Sequence, residues 1–214
     1  KHVNKKYKVQ FSCYDDIYRW SINNLSDFWN EVFKFTEFKY SKPFRYVLKQ
    51  SNKIQKAKWF YGLKFNFAEN LLRYKNDDIA IIFQSEDKIN KEITFNQLYD
   101  QVSKVSKHLE NIGIGENDKA AAILPNIPET VIAMLGATSK GAVWSSTSPD
   151  FGVDSILDRF IQINPKILFV CPEYYYKGKT INIVGKINTI VNSLPSLQEI
   201  VVINYVLDPK KHNF

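Results

Sequence analysis

The stretch Tyr174-Tyr175-Tyr176-Lys177-Gly178-Lys179-Thr180 carries the residue types of this chain best suited to holding a ligand. Aromatic rings present flat faces to a base or a cation. Two lysines bracket a glycine, and a glycine lets the backbone come close to a bound group. Tyr176, Lys177, Gly178 and Lys179 are therefore candidate binding residues for an adenine ring beside a phosphate. The plainer alternative is an exposed polar loop with no ligand. A second stretch, Ser145-Ser146-Thr147-Ser148-Pro149-Asp150, is rich in hydroxyl donors. No Gly-x-Ser-x-Gly elbow and no neighbouring histidine marks a nucleophile in it. Its plainer alternative is that Ser148 or Asp150 caps the helix that follows.

Other short motifs fail on their context. Gly113-Ile114-Gly115 follows a helical pattern, not a strand, and lacks the third glycine of a dinucleotide site. Gly178-Lys179-Thr180 ends like a phosphate loop, but the first glycine of that motif would stand at position 173, which is Glu173. His2, His108 and His212 are scattered along the chain and build no metal constellation. Cys13 and Cys171 have no Cys-x-x-Cys partner and are expected as two reduced thiols, which points to a cytoplasmic setting. No catalytic residue is assigned.

The elements that must position these stretches alternate along the chain. Residues 1–75 are aromatic-rich and mostly helical, with Leu25, Phe28, Trp29, Val32 and Phe33 at helical spacing behind a Ser26 cap, and an irregular run from Trp59 to Phe65. From residue 76 onward, strands expected near 79–83, 119–124, 142–146, 166–171 and 199–203 alternate with helices. Thr94 and Gln97 form a capping box before Leu98, Val102, Val105 and Leu109, and Gly113 stops that helix. Pro128 opens the next helix, 153–163 is a third, and 181–194 a fourth. This alternation predicts an α/β fold: a mostly parallel sheet with helices on both faces, preceded by the aromatic-rich helical segment. In such sheets ligands bind at the carboxyl ends of strands, which singles out the loops 146–152 and 172–180.

Composition narrows the class of function. With 44% hydrophobic and 24% charged residues the 214-residue chain is globular in character, long enough for one domain or two small ones. No apolar run reaches the roughly 18–20 residues of a membrane span. The basic start, Lys1 to Gln10, leads into no apolar stretch and is not a signal peptide, and without an initiator Met the sequence is expected to begin inside a longer reading frame. Net charge is +7, but the lysines are spread over every predicted helix without an arginine-rich stripe. Nucleic acid is therefore not the expected partner, whereas a phosphate-rich small ligand suits a basic surface.

Several runs resemble the short-chain acyl-CoA synthetases of the adenylate-forming superfamily. Trp59-Phe60-Tyr61-Gly62-Leu63-Lys64-Phe65-Asn66-Phe67-Ala68-Glu69-Asn70-Leu71-Leu72 is similar to their N-terminal signature. Leu124-Pro125-Asn126-Ile127-Pro128-Glu129, Ala133-Met134-Leu135 and Gly141-Ala142-Val143-Trp144-Ser145-Ser146 are similar to the next block. Ser148-Pro149-Asp150-Phe151-Gly152 and Leu157-Asp158-Arg159-Phe160 resemble the acetoacetyl-CoA synthetase branch, where the acetyl and propionyl enzymes have a Phe-Gly-Gly type loop. The likeness runs in order from about Tyr14 to Val202.

The resemblance implies a ligase that uses ATP, Mg and CoA, with residues 76–214 forming the first βα units of a larger domain. The family's phosphate loop, its ATP-contacting glutamate and its catalytic lysine lie beyond the matched region, so this chain alone is expected to be inactive. The family's CoA site does reach into it. Lys179 falls on a basic position that holds the 3′-phosphate of CoA, and Ser148 to Asp150 align with a loop lining the adenine. Tyr176 stands where the acetyl enzymes carry an arginine, a departure that weakens the carry-over at this position, where a tyrosine could stack on the adenine instead. The rival reading is a stand-alone, non-catalytic α/β module binding acyl-CoA or a nucleotide.

Overall fold

The computed structural model describes residues 2–50, 53–86 and 89–206. His212, one of the scattered histidines, lies outside them. The chain divides into two compact units, Lys1–Asn66 and Phe67–Phe214.

The first unit contains α1 (His2–Tyr7), α2 (Tyr14–Asn23), α3 (Leu25–Phe35), β1 (Tyr46–Lys49) and β2 (Lys58–Tyr61). Asp16 closes the start of α2 by accepting the backbone N–H groups of Ser12 and Cys13, which holds its carboxyl below the usual range. The N-cap of α3 is Asn24, two residues earlier than the expected Ser26. The run expected to be irregular, from Trp59, instead supplies β2, paired antiparallel with β1 (Leu48 opposite Trp59), and Gly62 turns the chain out of it at φ 88°. Rings fill the interior. Phe33 of α3 meets Phe38, Tyr40, Phe44 and Phe60 at centroid distances of 5.2 to 5.7 Å. Trp29 meets Trp59 edge-on at 6.0 Å.

The second unit contains α4 (Phe67–Leu71), β3 (Ile79–Ser85), β4 (Ile89–Thr94), α5 (Phe95–Asn111), β5 (Lys119–Ile123), α6 (Pro128–Ser139), β6 (Val143–Thr147), α7 (Val153–Ile163), β7 (Ile167–Val170), β8 (Glu173–Tyr176), β9 (Lys179–Asn182), α8 (Val184–Asn192) and β10 (Glu199–Val202). Four of the expected strands form one wholly parallel sheet in the order β10-β7-β5-β6. Ala121 of β5 lies between Ser145 of β6 and Leu168 of β7. β5 and β7 are buried on both faces, as parallel strands require, and their sequences are accordingly continuous apolar runs.

From β5 the chain passes through α6 to β6 on one side, and from β6 through α7 to β7 on the other. Right-handed crossovers in opposite directions put α6 on one face and α7 with α8 on the other. The packing agrees, with α5 against α6 and α7 against α8. The α5–α6 crossing is close because Gly136 faces Val105; a Cβ there would stand 2.5 Å from a Val105 methyl. Thr94 and Gln97 form the expected capping box at α5, and Asn164, in the left-handed region at φ 50°, ends α7.

Two expectations fail locally. The strand near 79–83 does not join the parallel sheet. β3 pairs antiparallel with β4, Ser85 opposite Ile89, because residues 86–88 are too short a connection for anything but a hairpin. The stretch 172–180 is not an open loop. It is a second hairpin, β8–β9, which takes Ile181 into β9 and delays the start of α8 to Val184.

Candidate functional site

Both stretches singled out in the sequence lie just past the carboxyl ends of parallel strands: Ser148 to Gly152 after β6, and the β8–β9 hairpin after β7. Adjacent strands β5 and β7 send their chains to opposite faces of the sheet, the arrangement that opens a ligand crevice at that edge.

Strand alternation decides which tyrosines do what. Tyr174 is buried and its hydroxyl donates to Asp150 Oδ1 at 2.6 Å, joining the hairpin to the 148–152 loop. Burial first, and the Asp150 carboxylate second, push its pKa up to about 12. Ser148 Oγ donates to the other carboxylate oxygen of Asp150 at 2.9 Å. Lys186 of α8 donates to the carbonyls of Pro149 and Phe151 at 2.7 and 2.9 Å, and the Arg159 guanidinium lies 4.9 Å from the Phe151 ring. Ser148 and Asp150 are thus not helix caps. The N-cap of α7 is Gly152, without a side-chain bond, and Asp150 is committed to Tyr174 and Ser148.

Tyr175 points the other way, 5.5 Å from the ring of Tyr205, which also meets Phe83 at 6.2 Å and donates its hydroxyl to the buried Ser85. Tyr176, Lys177, Gly178 and Lys179 together form the exposed tip. Tyr176 and Lys179 are the last cross-strand pair, and Lys177 and Gly178 are the two-residue turn at φ 50° and 72°. Two successive positive φ values are the signature of a type I′ hairpin turn, which tolerates Lys at its first position and favours Gly at its second. Lys177 Nζ lies 5.3 Å from the Tyr176 ring, and the ammoniums of Lys177 and Lys179 form no ion pair with a described residue. The backbone N–H groups of Lys177 and Gly178 donate to the two carboxylate oxygens of Glu86, each at 2.7 Å.

Sequence reasoning missed Glu86 altogether. It lies 91 residues from Lys177, in a polar turn with no pattern of its own. Lys186 was missed too, although its place in the first turn of a helix following the hairpin was a signal of sorts.

The hairpin tip presents two ammoniums and an aromatic ring, and no cysteine or histidine is among its residues. The buried Cys171 donates its thiol to the Glu173 carbonyl at 3.0 Å, and burial pushes its pKa up to about 12, so it is inert at neutral pH. His108 is bound to Glu199 at 2.5 Å, away from the hairpin. Among the described residues no three His, Cys, Asp or Glu side chains converge as a metal site, and no helix is long and apolar enough to cross a membrane.

Comparison with known proteins gives this geometry a family. The model of AMP-binding enzymes matches residues 67–213, and that of the acetyl-coenzyme A synthetase N-terminus matches 14–71. An acetoacetyl-CoA synthetase of Macaca fascicularis is 42% identical over 201 residues, covering 92% of this chain and 30% of that protein. An acetoacetyl-coenzyme A synthetase of Rhizobium meliloti is 37% identical over 190 residues, covering 89% and 29%. The solved structure of acetoacetyl-CoA synthetase from Streptomyces lividans superposes with a TM-score of 0.87 at 31% identity, over 94% of this chain and 31% of that one. The chain therefore spans about 30% of the length of these relatives. Since the first match takes in the whole parallel sheet, both loops at its edge and more than half of the sequence, the chain belongs to the AMP-binding enzyme family.

Proposed function

We propose that this chain is the N-terminal part of an ATP-dependent acetoacetyl-CoA synthetase of the cytoplasm. The enzyme joins acetoacetate to ATP with release of pyrophosphate, then passes the acyl group to the thiol of CoA with release of AMP. The observation that carries this reading is the 37% and 42% identity with acetoacetyl-CoA synthetases along nearly the whole chain.

Within that enzyme this chain's own share is to bind and orient CoA. Lys179, exposed at the hairpin tip without a protein partner among the described residues, holds the 3′-phosphate of CoA by a charge-assisted hydrogen bond. The half-exposed Tyr176 ring supports the adenine. Lys177 and Gly178 form the turn between them, and the Tyr174–Asp150 bond keeps the adenine-side loop against the hairpin. Magnesium, when bound with ATP, neutralises charge on the phosphates. Among the described residues no three His, Cys, Asp or Glu side chains gather to hold it, in keeping with ATP and Mg contacts that lie mostly outside this chain.

The test is ATP–pyrophosphate exchange by the full-length protein with acetoacetate, acetate and propionate in turn. Exchange with acetoacetate well above the other two, followed by thioester formation with CoA, supports the reading. Equal exchange with acetate, or none with any of the acids, sinks it. The 214-residue chain by itself is expected to show no exchange, since stabilisation of the transferring group is most of the catalysis and its donors are not among these residues.

A further inference from the structure

The outward side of the Lys177–Gly178 turn is already occupied by an anion. In a two-residue hairpin turn the flanking pair, here Tyr176 and Lys179, closes the ladder and leaves the N–H groups of the two turn residues outside it. Both donate to one carboxylate, Lys177 N to Glu86 Oε1 and Gly178 N to Glu86 Oε2, each at 2.7 Å. Paired backbone N–H groups aimed at a single anion are a recurrent way of holding phosphate. Glu86 reaches them from the far end of β3, where it is exposed, while its neighbour Ser85 is buried and held by Tyr205. The bonds to the turn and the bond to Tyr205 are thus made by different, adjacent residues.

The charges around the turn favour a stronger anion than a carboxylate. Glu86 is bound through the amides, not through the lysines, so the ammoniums of Lys177 and Lys179 remain available beside it. A phosphate monoester carries about −1.5 to −2 at neutral pH and more acceptor oxygens than a carboxylate. Placed next to Glu86 it is repelled; placed where Glu86 sits, it receives both amides, in a turn that carries the exposed Lys177 and Lys179.

We propose that the amide pair of Lys177 and Gly178 is a phosphate-monoester site whose resident anion is Glu86, and that the phosphate enters by displacing that carboxylate. Built on the CoA reading above, this makes the 3′-phosphate of CoA the incoming group and Glu86 the competitor that sets how tightly it is held.

The experiment follows the amide resonances of Lys177 and Gly178 in the ¹⁵N-labelled full-length protein during titration with inorganic phosphate, CoA and dephospho-CoA. Wild type is compared with Glu86→Ala and Glu86→Gln. Inorganic phosphate is expected to shift both resonances in wild type. In Glu86→Ala its apparent Kd, and that of CoA, falls by roughly 3- to 10-fold, with a smaller fall in Glu86→Gln. Dephospho-CoA binding does not change. Unchanged or weaker phosphate binding in Glu86→Ala overturns the proposal. So does loss of the Tyr174–Ile181 cross-strand contacts in that variant, because Glu86 is then a brace and not a competitor. The CoA reading is scored separately. If phosphate tightens as expected while CoA and dephospho-CoA bind wild type alike, the anion site stands and the CoA assignment falls. If wild type prefers CoA but Glu86→Ala behaves identically, the CoA assignment stands and displacement falls.

Discussion

In the unit Lys1–Asn66 the one described side chain buried to the level of a core is a carboxylate, Glu31, whereas in Phe67–Phe214 the buried residues are mostly apolar, led by alanines, isoleucines, leucines and valines around a parallel sheet. Glu31 accepts from Tyr7 and His2, each at 3.0 Å, and pairs with Lys6. Around it, half-exposed rings meet tilted or edge to face and line a cavity of about 550 Å³ that includes Phe11, Trp20 and Phe28. The second unit has Ala120, Ala121 and Ala122 at zero exposure in its central strand, small enough for helices to close over both faces. One interior gains from ring contacts and a charge cluster, the other from close packing. The two should therefore answer differently to truncation, to acid and to loss of a single hydroxyl.

Truncation tests the contrast most severely. Phe160 is fully buried on α7, and Phe160→Ala should cost about 3–5 kcal/mol and unfold the sheet unit. Phe33 touches more aromatic rings but remains partly exposed, so Phe33→Ala should cost about 2 kcal/mol, with its effect read in the first unit. Urea denaturation of each variant, followed by far-UV circular dichroism, measures both. Equal losses would remove the distinction between the two interiors.

Acid should act on the first unit through Glu31. The hydrogen bond from Lys6 leads in holding its pKa at about 2 against an ordinary 4.5. A depressed carboxylate pKa contributes stability above pH 4.5 and loses it as pH falls from 4.5 towards 2. Wild type should lose the ordered tryptophan signal of Trp20, Trp29 and Trp59 across that window. Glu31→Gln should start about 1–2 kcal/mol less stable at pH 7 and show a flatter acid limb. An identical acid limb in the variant would show that Glu31 is not the titrating group.

A smaller effect is expected at the hairpin. Tyr174→Phe removes the donor to Asp150 and should cost about 1 kcal/mol, since the carboxylate is exposed and can rehydrate. The phenol pKa near 12, above its usual 10, predicts that wild type gains from this tyrosine below pH 10 and loses the gain between pH 10 and 12. The phenylalanine variant should lack that alkaline loss in a stability profile.

The sheet was legible because its signals are local. Pro128 and the Thr94–Gln97 box mark helix starts, Gly113 a stop, and the short apolar runs Ala120 to Ile123 and Ile167 to Val170, set between helical patterns, are buried strands. What failed depends on pairing. Ile79, Ile81 and Phe83 alternate as any strand does, and nothing in them states that the partner is Ile89 to Thr94 and not Lys119 to Ile123. The tip residues Tyr176 to Lys179 stand out by their types, but their conformation does not, because a Lys-Gly turn is a weaker hairpin signal than Asn-Gly. Glu86 was beyond reach. Its role exists only once two hairpins distant in sequence lie side by side.

The assignment of the hairpin tip stands or falls on Lys179. The decisive comparison is kcat/KM of the full-length protein for CoA and for dephospho-CoA, in wild type and in Lys179→Ala, with ATP–pyrophosphate exchange as the control. A lysine holding the 3′-phosphate predicts a loss of roughly 10- to 150-fold with CoA, almost none with dephospho-CoA, and unaltered exchange. An equal loss with both thiols, or a collapse of exchange, would contradict it and make Lys179 a part of the fold or of the adenylation step.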